Sequence, residues 1–108
     1  MANTFKSNLA ANIVTTGNTV YTCPSATQTT LIGLTLSNKS SGTVTANVYV
    51  TRSAVDYSLI SNAPILAGSS LVPIGGDQKV VLQAADSVKI TVSANASVDT
   101  VVSLLEIA

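Results

Sequence analysis

The feature that most restricts this chain is a series of short stretches whose apolar residues fall at every second position. Between residues 43 and 51, Val44, Ala46, Val48 and Val50 alternate with Thr43, Thr45, Asn47, Tyr49 and Thr51. Successive side chains of an extended strand point to opposite faces, so this pattern gives one apolar face and one polar face. A helix of 3.6 residues per turn would scatter it. The same period returns in Val88, Ile90 and Val92, which alternate with Lys89, Thr91 and Ser93. Before them stand a glycine turn at Gly75-Gly76-Asp77, an apolar run over residues 80–82, and a break at Ala84-Ala85-Asp86. The glycines tolerate positive φ and allow a tight reversal. Two strands joined by a short acidic turn are therefore expected to form one corner of an antiparallel sandwich.

Phe5, Leu9, Ala11 and Ile13 share one parity, so residues 5–14 read as a first strand, with a short amphipathic helix as the alternative. Thr15-Thr16-Gly17-Asn18 is a turn cluster, and residues 19–22 form a short strand stopped at Pro24, which lacks a ladder donor. Residues 29–37 form a strand in which Gly33 marks a bulge or a close backbone approach. Asn38-Lys39-Ser40-Ser41-Gly42 reads as a hairpin loop, with Gly42 in the left-handed position, pairing residues 29–37 with 43–51. Strands follow at 57–60, 69–74 and 99–107; in the last both parities are largely apolar, which predicts cover on both faces. Eight or nine short strands, spaced about 8–12 residues apart, describe a single all-β domain over residues 1–108. Its expected architecture is an antiparallel β-sandwich of Greek-key or jelly-roll type.

Only 9% of the residues are charged, and five basic side chains cancel five acidic ones. That balance leaves no electrostatic footprint for nucleic acid or an anionic membrane. Fourteen Ser and fourteen Thr take the place of charge. A surface of hydroxyls and small apolar groups is desolvated at lower cost than a charged one, so much of it is expected to contact other subunits. A sparsely charged monomer is the plainer reading. The absence of His removes the commonest general base and metal ligand. Asp56, Asp77, Asp86, Asp99 and Glu106 are dispersed, and each Asp lies at or beside a turn, where it accepts backbone N–H bonds. Gly75-Gly76-Asp77 is too poor in oxygen ligands for a calcium loop and lacks a phosphate-cradling pattern.

Cys23 has no partner for an intrachain disulfide and suits a small buried position at a strand end. No apolar run approaches the roughly 20 residues of a membrane span, and the N-terminus lacks the apolar core of a secretory signal. The sequons at Asn38 and Asn95 carry little weight in that setting. Arg52 is followed four residues on by Asp56, and the two read either as a local salt bridge or as an ion pair between subunits. With Tyr49, Tyr57 and Leu104 they make up the candidate subunit contacts. No catalytic, cofactor-binding or metal-ligating residue is proposed. The scarcity of aromatics and the absence of Trp weigh against a carbohydrate-binding jelly roll.

One resemblance covers most of the chain. It is carried by Tyr49-Val50-Thr51-Arg52, Asp56-Tyr57, Asn62-Ala63-Pro64-Ile65, Gly75-Gly76-Asp77-Gln78-Lys79, Ala85-Asp86-Ser87-Val88 and Leu105-Glu106-Ile107, and in the N-terminal half by TVYTCPSATQTTLIGLTLSN. In these the sequence resembles small virion structural proteins of tailed bacteriophages, those of cyanobacteria and other aquatic bacteria especially. The resemblance implies a non-enzymatic structural subunit, located in the virion and assembled in the host bacterial cytoplasm. Its implied partners are other virion proteins, either the major capsid protein or neck and tail components, together with its own copies in a homo-oligomer for which a trimer is one symmetry. A head decoration, or cement, protein is the favoured position. One departure is Ala85, where similar sequences carry Gly before the Asp, and it predicts a different turn type at that corner.

Overall fold

The computed structural model describes residues 3–75 and 79–108. Among the described residues there are nine strands: β1 (Asn3–Ala10), β2 (Asn18–Thr22), β3 (Gln28–Asn38), β4 (Val44–Arg52), β5 (Val55–Ile65), β6 (Ser70–Ile74), β7 (Val80–Leu82), β8 (Ser87–Val92) and β9 (Val98–Ile107). They form two antiparallel sheets. One has the order β1-β9-β3-β6, with β7 also paired to β3; the other is β2-β8-β4-β5. If β6 and β7 are taken as one interrupted strand, the order is that of a jelly roll, in which successive strands cross between facing sheets except at the β4–β5 hairpin. The expected β-sandwich is therefore present.

The alternating residues meet between the sheets. Leu31, Leu34 and Leu36 of β3 and Val102 and Leu104 of β9 pack toward Ala46 and Val48 of β4 and Val88 and Ile90 of β8, all at most 1% exposed. Each large aliphatic side chain so buried contributes roughly 1.5–3 kcal/mol relative to exposure. Ile13 and Cys23, also at most 1% exposed, close the core at the strand ends. Gly33 lies at a register shift between β3 and β9, the bulge its position suggested.

The jelly-roll order corrects the expected hairpin. β3 and β4 are consecutive but lie in different sheets, so they do not pair; β3 pairs with β9, β6 and β7, and β4 with β5 and β8. Gly42 does not take a left-handed φ. The loop is held instead by Asn38, whose Nδ2 donates to the carbonyls of Gly42 and Ile65 at 2.8 Å each. The tight hairpin is β4–β5, closed between Arg52 and Val55 by Ser53 and Ala54, both at positive φ. That geometry matches the right-handed strand twist. β5 is accordingly longer than the expected 57–60 strand and runs on through a bulge at Asn62.

Three further expectations change. The first strand ends at Ala10, and its apolar parity faces outward, with Phe5 76% and Leu9 74% exposed. β9 is buried on one face only: Val98, Thr100, Val102, Leu104 and Glu106 point inward, while Val101 is 45% exposed. At the β7–β8 corner, Ala85 takes φ +73°, the left-handed turn that a glycine would take, rather than another turn type. The turn read at Gly75-Gly76-Asp77 falls largely on residues 76–78, outside the described residues.

Candidate functional site

The outer surfaces of the two sheets differ in chemistry. On the five-stranded sheet, register brings outward residues into rows across the strands. Val81, Thr30, Leu105 and Phe5 lie in one row, and Thr35, Val101 and Leu9 in another. Val72 of β6, 58% exposed, and Val81 of β7, 60% exposed, extend the apolar surface toward the far edge. Among the described residues Asp99 is the one charged residue at the outward strand positions, at one end of β9. It is neutralised locally by Lys39 Nζ at 3.0 Å and by the Asn12 N–H, which donates to its carboxylate at 2.9 Å. Those contacts hold the Asp99 carboxyl below its usual range, the backbone bond being the larger cause.

The four-stranded sheet presents Thr19, Lys89, Thr91, Asn47, Tyr49, Thr51, Asp56 and Ser58 at its outward positions. These side chains bond along the sheet. Asn47 Nδ2 donates to Thr91 Oγ1 at 3.0 Å, Thr51 Oγ1 donates to Asp56 at 2.7 Å, and Lys89 Nζ stands 3.8 Å from Asp56. This face is satisfied by its own groups.

The residues singled out from sequence do not form one cluster. Arg52 does not pair with Asp56. It makes a bidentate bond to Asp86, Nε donating to Oδ1 at 2.8 Å and Nη2 to Oδ2 at 2.5 Å, across 34 residues of chain. Asp86 sits in the turn between β7 and β8, at the junction of the sheets, with its side chain 2% exposed, and also accepts the Gln83 N–H at 2.9 Å. The guanidinium above all, against the opposing effect of burial, holds the Asp86 carboxyl below its ordinary value. A fork-to-fork pair fixes orientation as well as charge. Arg52, Tyr57 and Val50 border a shallow hollow at this end of the sheet. Tyr49 and Asp56 lie on the polar outer face. Leu104, at 1% exposure, is core and has no surface to give to a partner, so it is removed from the candidate contacts.

A second polar cluster joins the layers from inside. Tyr21 of β2 donates its phenolic proton to Glu106 Oε2 of β9 at 2.6 Å, and Thr29 Oγ1 of β3 lies 2.8 Å from the phenolic oxygen. With that proton committed to Glu106, the Thr29 hydroxyl donates to the phenol. Lys6 Nζ holds the other Glu106 oxygen at 2.9 Å. Burial, and then the bond to Glu106, raise the Tyr21 phenol far above its ordinary value; Tyr21 and then Lys6 lower the Glu106 carboxyl. The buried Cys23 Sγ contacts Thr29 Oγ1 at 3.2 Å and the Thr27 carbonyl at 3.3 Å. Each carboxylate among the described residues is thus engaged by a neighbour, and no three potential metal-ligating groups lie together among those residues. Asn38, one of the two sequons, is 2% exposed and bonded within the fold.

No protein-family model matches this chain, and no curated protein matches it. Two similar solved structures share its fold at low identity, and a third is more distant. A chain of Bacillus endospore appendages, a family of disulfide-linked pili, superposes with a TM-score of 0.51 at 13% identity, over 98% of this chain and 88% of that one. A chain of the IBDV viral particle gives 0.52 at 8% identity, over 96% of this chain but 30% of its own length. A chain of the cyanophage Pam1 capsid asymmetric unit gives 0.39 at 16% identity, over 96% and 82%. The chain is therefore similar in fold to structural proteins of a virus particle and of a pilus.

Proposed function

We propose that this chain is a non-enzymatic structural subunit of a tailed-phage virion, a decoration or cement protein seated on a preformed capsid shell. One observation carries the reading: the outer surface of the five-stranded sheet exposes Phe5, Leu9, Val72, Val81 and Val101 at 45–76% among hydroxyls, and among the described residues Asp99 is the charged side chain at its outward strand positions. A contiguous apolar face of this kind marks an interaction surface, and an uncharged one is covered at low desolvation cost. The sequence resemblance to phage virion proteins and the fold shared with a viral-particle chain support the same reading. The major capsid protein is the partner under it, and the polar face of the four-stranded sheet is the side left to solvent.

Locating the chain in an electron-microscopy map of the particle tests this. Density on the head lattice, with the five-stranded sheet toward the shell, is the expected result. Density confined to the neck or tail would remove the cement role, and absence from purified particles would remove the virion role.

A further inference from the structure

The four edges of the sandwich are not equally protected. An unpaired edge strand invites pairing with another chain, and proteins blunt it with proline, bulges, short length or inward-pointing charge. β2 is five residues long with a register shift. β5 carries Pro64 and is bulged at Asn62. The edge beside β3 is split into β6 and β7 and contains Pro73. β1 has none of these devices except one lysine: its eight residues pair with β9 in unbroken register, contain no proline, and among the described residues pair with no strand on their other side. Its Lys6 is drawn to Glu106.

We propose that β1 is the contact between two copies of this chain, pairing antiparallel with β1 of a second copy about a two-fold axis at Ser7. A two-fold axis normal to the sheet keeps each residue on its own face, so only residues of like parity can face each other. Within that restriction the side chains select one register. With Ser7 opposite its own copy, Phe5 meets Leu9 of the second copy on the apolar face, and Leu9 meets Phe5. On the other face Lys6 meets Asn8. Moving the axis by one residue toward the N-terminus sets Lys6 against Lys6 and Phe5 against Ser7; moving it the other way sets Leu9 against Ser7 and takes Phe5 beyond the end of β1. Like charges directly opposite are unfavourable, and aromatic–aliphatic pairs are favourable.

Area argues the same way. Four strand positions at about 4.8 Å spacing and about eight residues of length give an outer face of roughly 500 Å². A stable interface uses about 800 Å² per partner. Strand pairing joins two such faces into one sheet of about 1,000 Å² with Phe5 and Leu9 at its centre. The pairing rests on the proposed role only for what that enlarged face would cover. It closes at two copies and so replaces the three-fold arrangement.

The test is sedimentation and oxidative cross-linking of the purified full chain. The native protein is expected to sediment as a dimer. Ser7→Lys places two ammonium groups face to face and is expected to raise the dimer dissociation constant at least about 10-fold. Since Ser7 is exposed, thermal stability at a concentration where both proteins are monomeric should not change. Ser7→Cys should cross-link as a dimer on mild oxidation, whereas Phe5→Cys should not, being about four residues from its own copy; the buried Cys23 leaves the parent silent. A monomer at every concentration, an oligomer indifferent to Ser7→Lys, or cross-linking through Phe5→Cys as readily as through Ser7→Cys would each overturn the pairing. Particle purification separates the two ideas. A chain that enters particles and ignores Ser7→Lys loses the pairing alone, and one that dimerises through Ser7 but stays out of particles loses the virion role alone.

Discussion

The two sheets are alike on the inside and opposite on the outside. Both send Val, Ile and Leu inward with the same two-residue period. Outward, the four-stranded sheet carries Lys89, Asp56, Asn47 and threonines that bond one another, whereas the five-stranded sheet carries the apolar side chains of Phe5, Leu9, Val101 and Leu105. Low overall charge is thus not spread evenly over the molecule. Composition led to the expectation that some surface is suited to contact; the fold gathers the exposed apolar strand residues on one side.

The comparison breaks most decisively if a charge can be placed on either side with the same result. Val101→Lys puts an ammonium in the middle of the apolar face without touching the core. If that face is covered by the shell, an unpaired charge there costs several kcal/mol, so attachment is expected to weaken at least about 100-fold. Thr91→Lys on the opposite face gives up the Asn47 bond but is expected to leave attachment within about three-fold, since it puts its charge on the side turned away from the shell. Co-sedimentation with shells lacking the protein measures both. Equal losses would mean that the two faces do not divide the work.

The next effect concerns the link that keeps the faces back to back. Tyr21 in one sheet bonds Glu106 in the other, so Tyr21→Phe leaves a nearly buried carboxylate oxygen without its donor. A loss of about 1–3 kcal/mol in urea unfolding is expected. No change in the midpoint would show that aliphatic packing alone registers the layers.

Acid titration sharpens the same point. The carboxyls of Asp86, Asp99 and Glu106 are all held below their ordinary values in the folded state. The unfolded chain therefore binds protons first as pH falls. The stability these groups supply is complete above the unfolded carboxylate range, near pH 4, and is lost as pH drops through the folded values. The melting temperature should fall below about pH 4, and Arg52→Ala should flatten that fall by removing the main cause at Asp86. An acid limb unchanged by Arg52→Ala would show that Asp86 contributes nothing to it.

How much of this was legible in the chain follows from what alternation can encode. Period two located the strands and the inward residues of β4 and β8. In β3 the register shift before Gly33 turns Leu31 inward together with Leu34 and Leu36, although strict alternation would set Leu31 on the opposite face. Alternation does not say which sheet a strand joins, so consecutive strands 29–37 and 43–51 read as a hairpin although the jelly roll separates them. Nor does it say which side of a strand is inside. Phe5 and Leu9 are the apolar parity of β1, yet Lys6 and Asn8 face the interior edge because Glu106 and the Val20 carbonyl wait there to receive them. The β4–β5 turn was missed because Ser53-Ala54 lacks the Asn-Gly signature of its geometry. Arg52 was given the wrong partner because Asp56 is near in sequence, while Asp86 comes near only when the sandwich closes.

A smaller gain is expected at the corner that carries the chain from one sheet to the other. Ala85 sits at φ +73°, where a Cβ crowds the backbone. Ala85→Gly should stabilise the fold by about 0.5–1 kcal/mol, the relieved strain being partly offset by greater freedom in the unfolded chain. A destabilisation would indicate that the left-handed turn is not populated at this residue.

The smallest effect tests the polar face on its own terms. Asp56 was the partner first read for Arg52, and on that reading its removal would strand a guanidinium. In the fold it accepts one bond from Thr51 and stands 3.8 Å from Lys89, with both charged side chains more than one-third exposed, at 39% and 34%. Such a pair is screened by water and contributes at most about 0.5 kcal/mol. Asp56→Ala should therefore change the unfolding free energy by no more than about 0.5 kcal/mol, while Asp86→Ala, which does strand Arg52 and the Gln83 N–H, should cost clearly more. Chemical denaturation of the two variants side by side decides it. If Asp56→Ala proved the costlier, the pairing of Arg52 would have to be reassigned, and the polar face would hold the fold together rather than merely cover it.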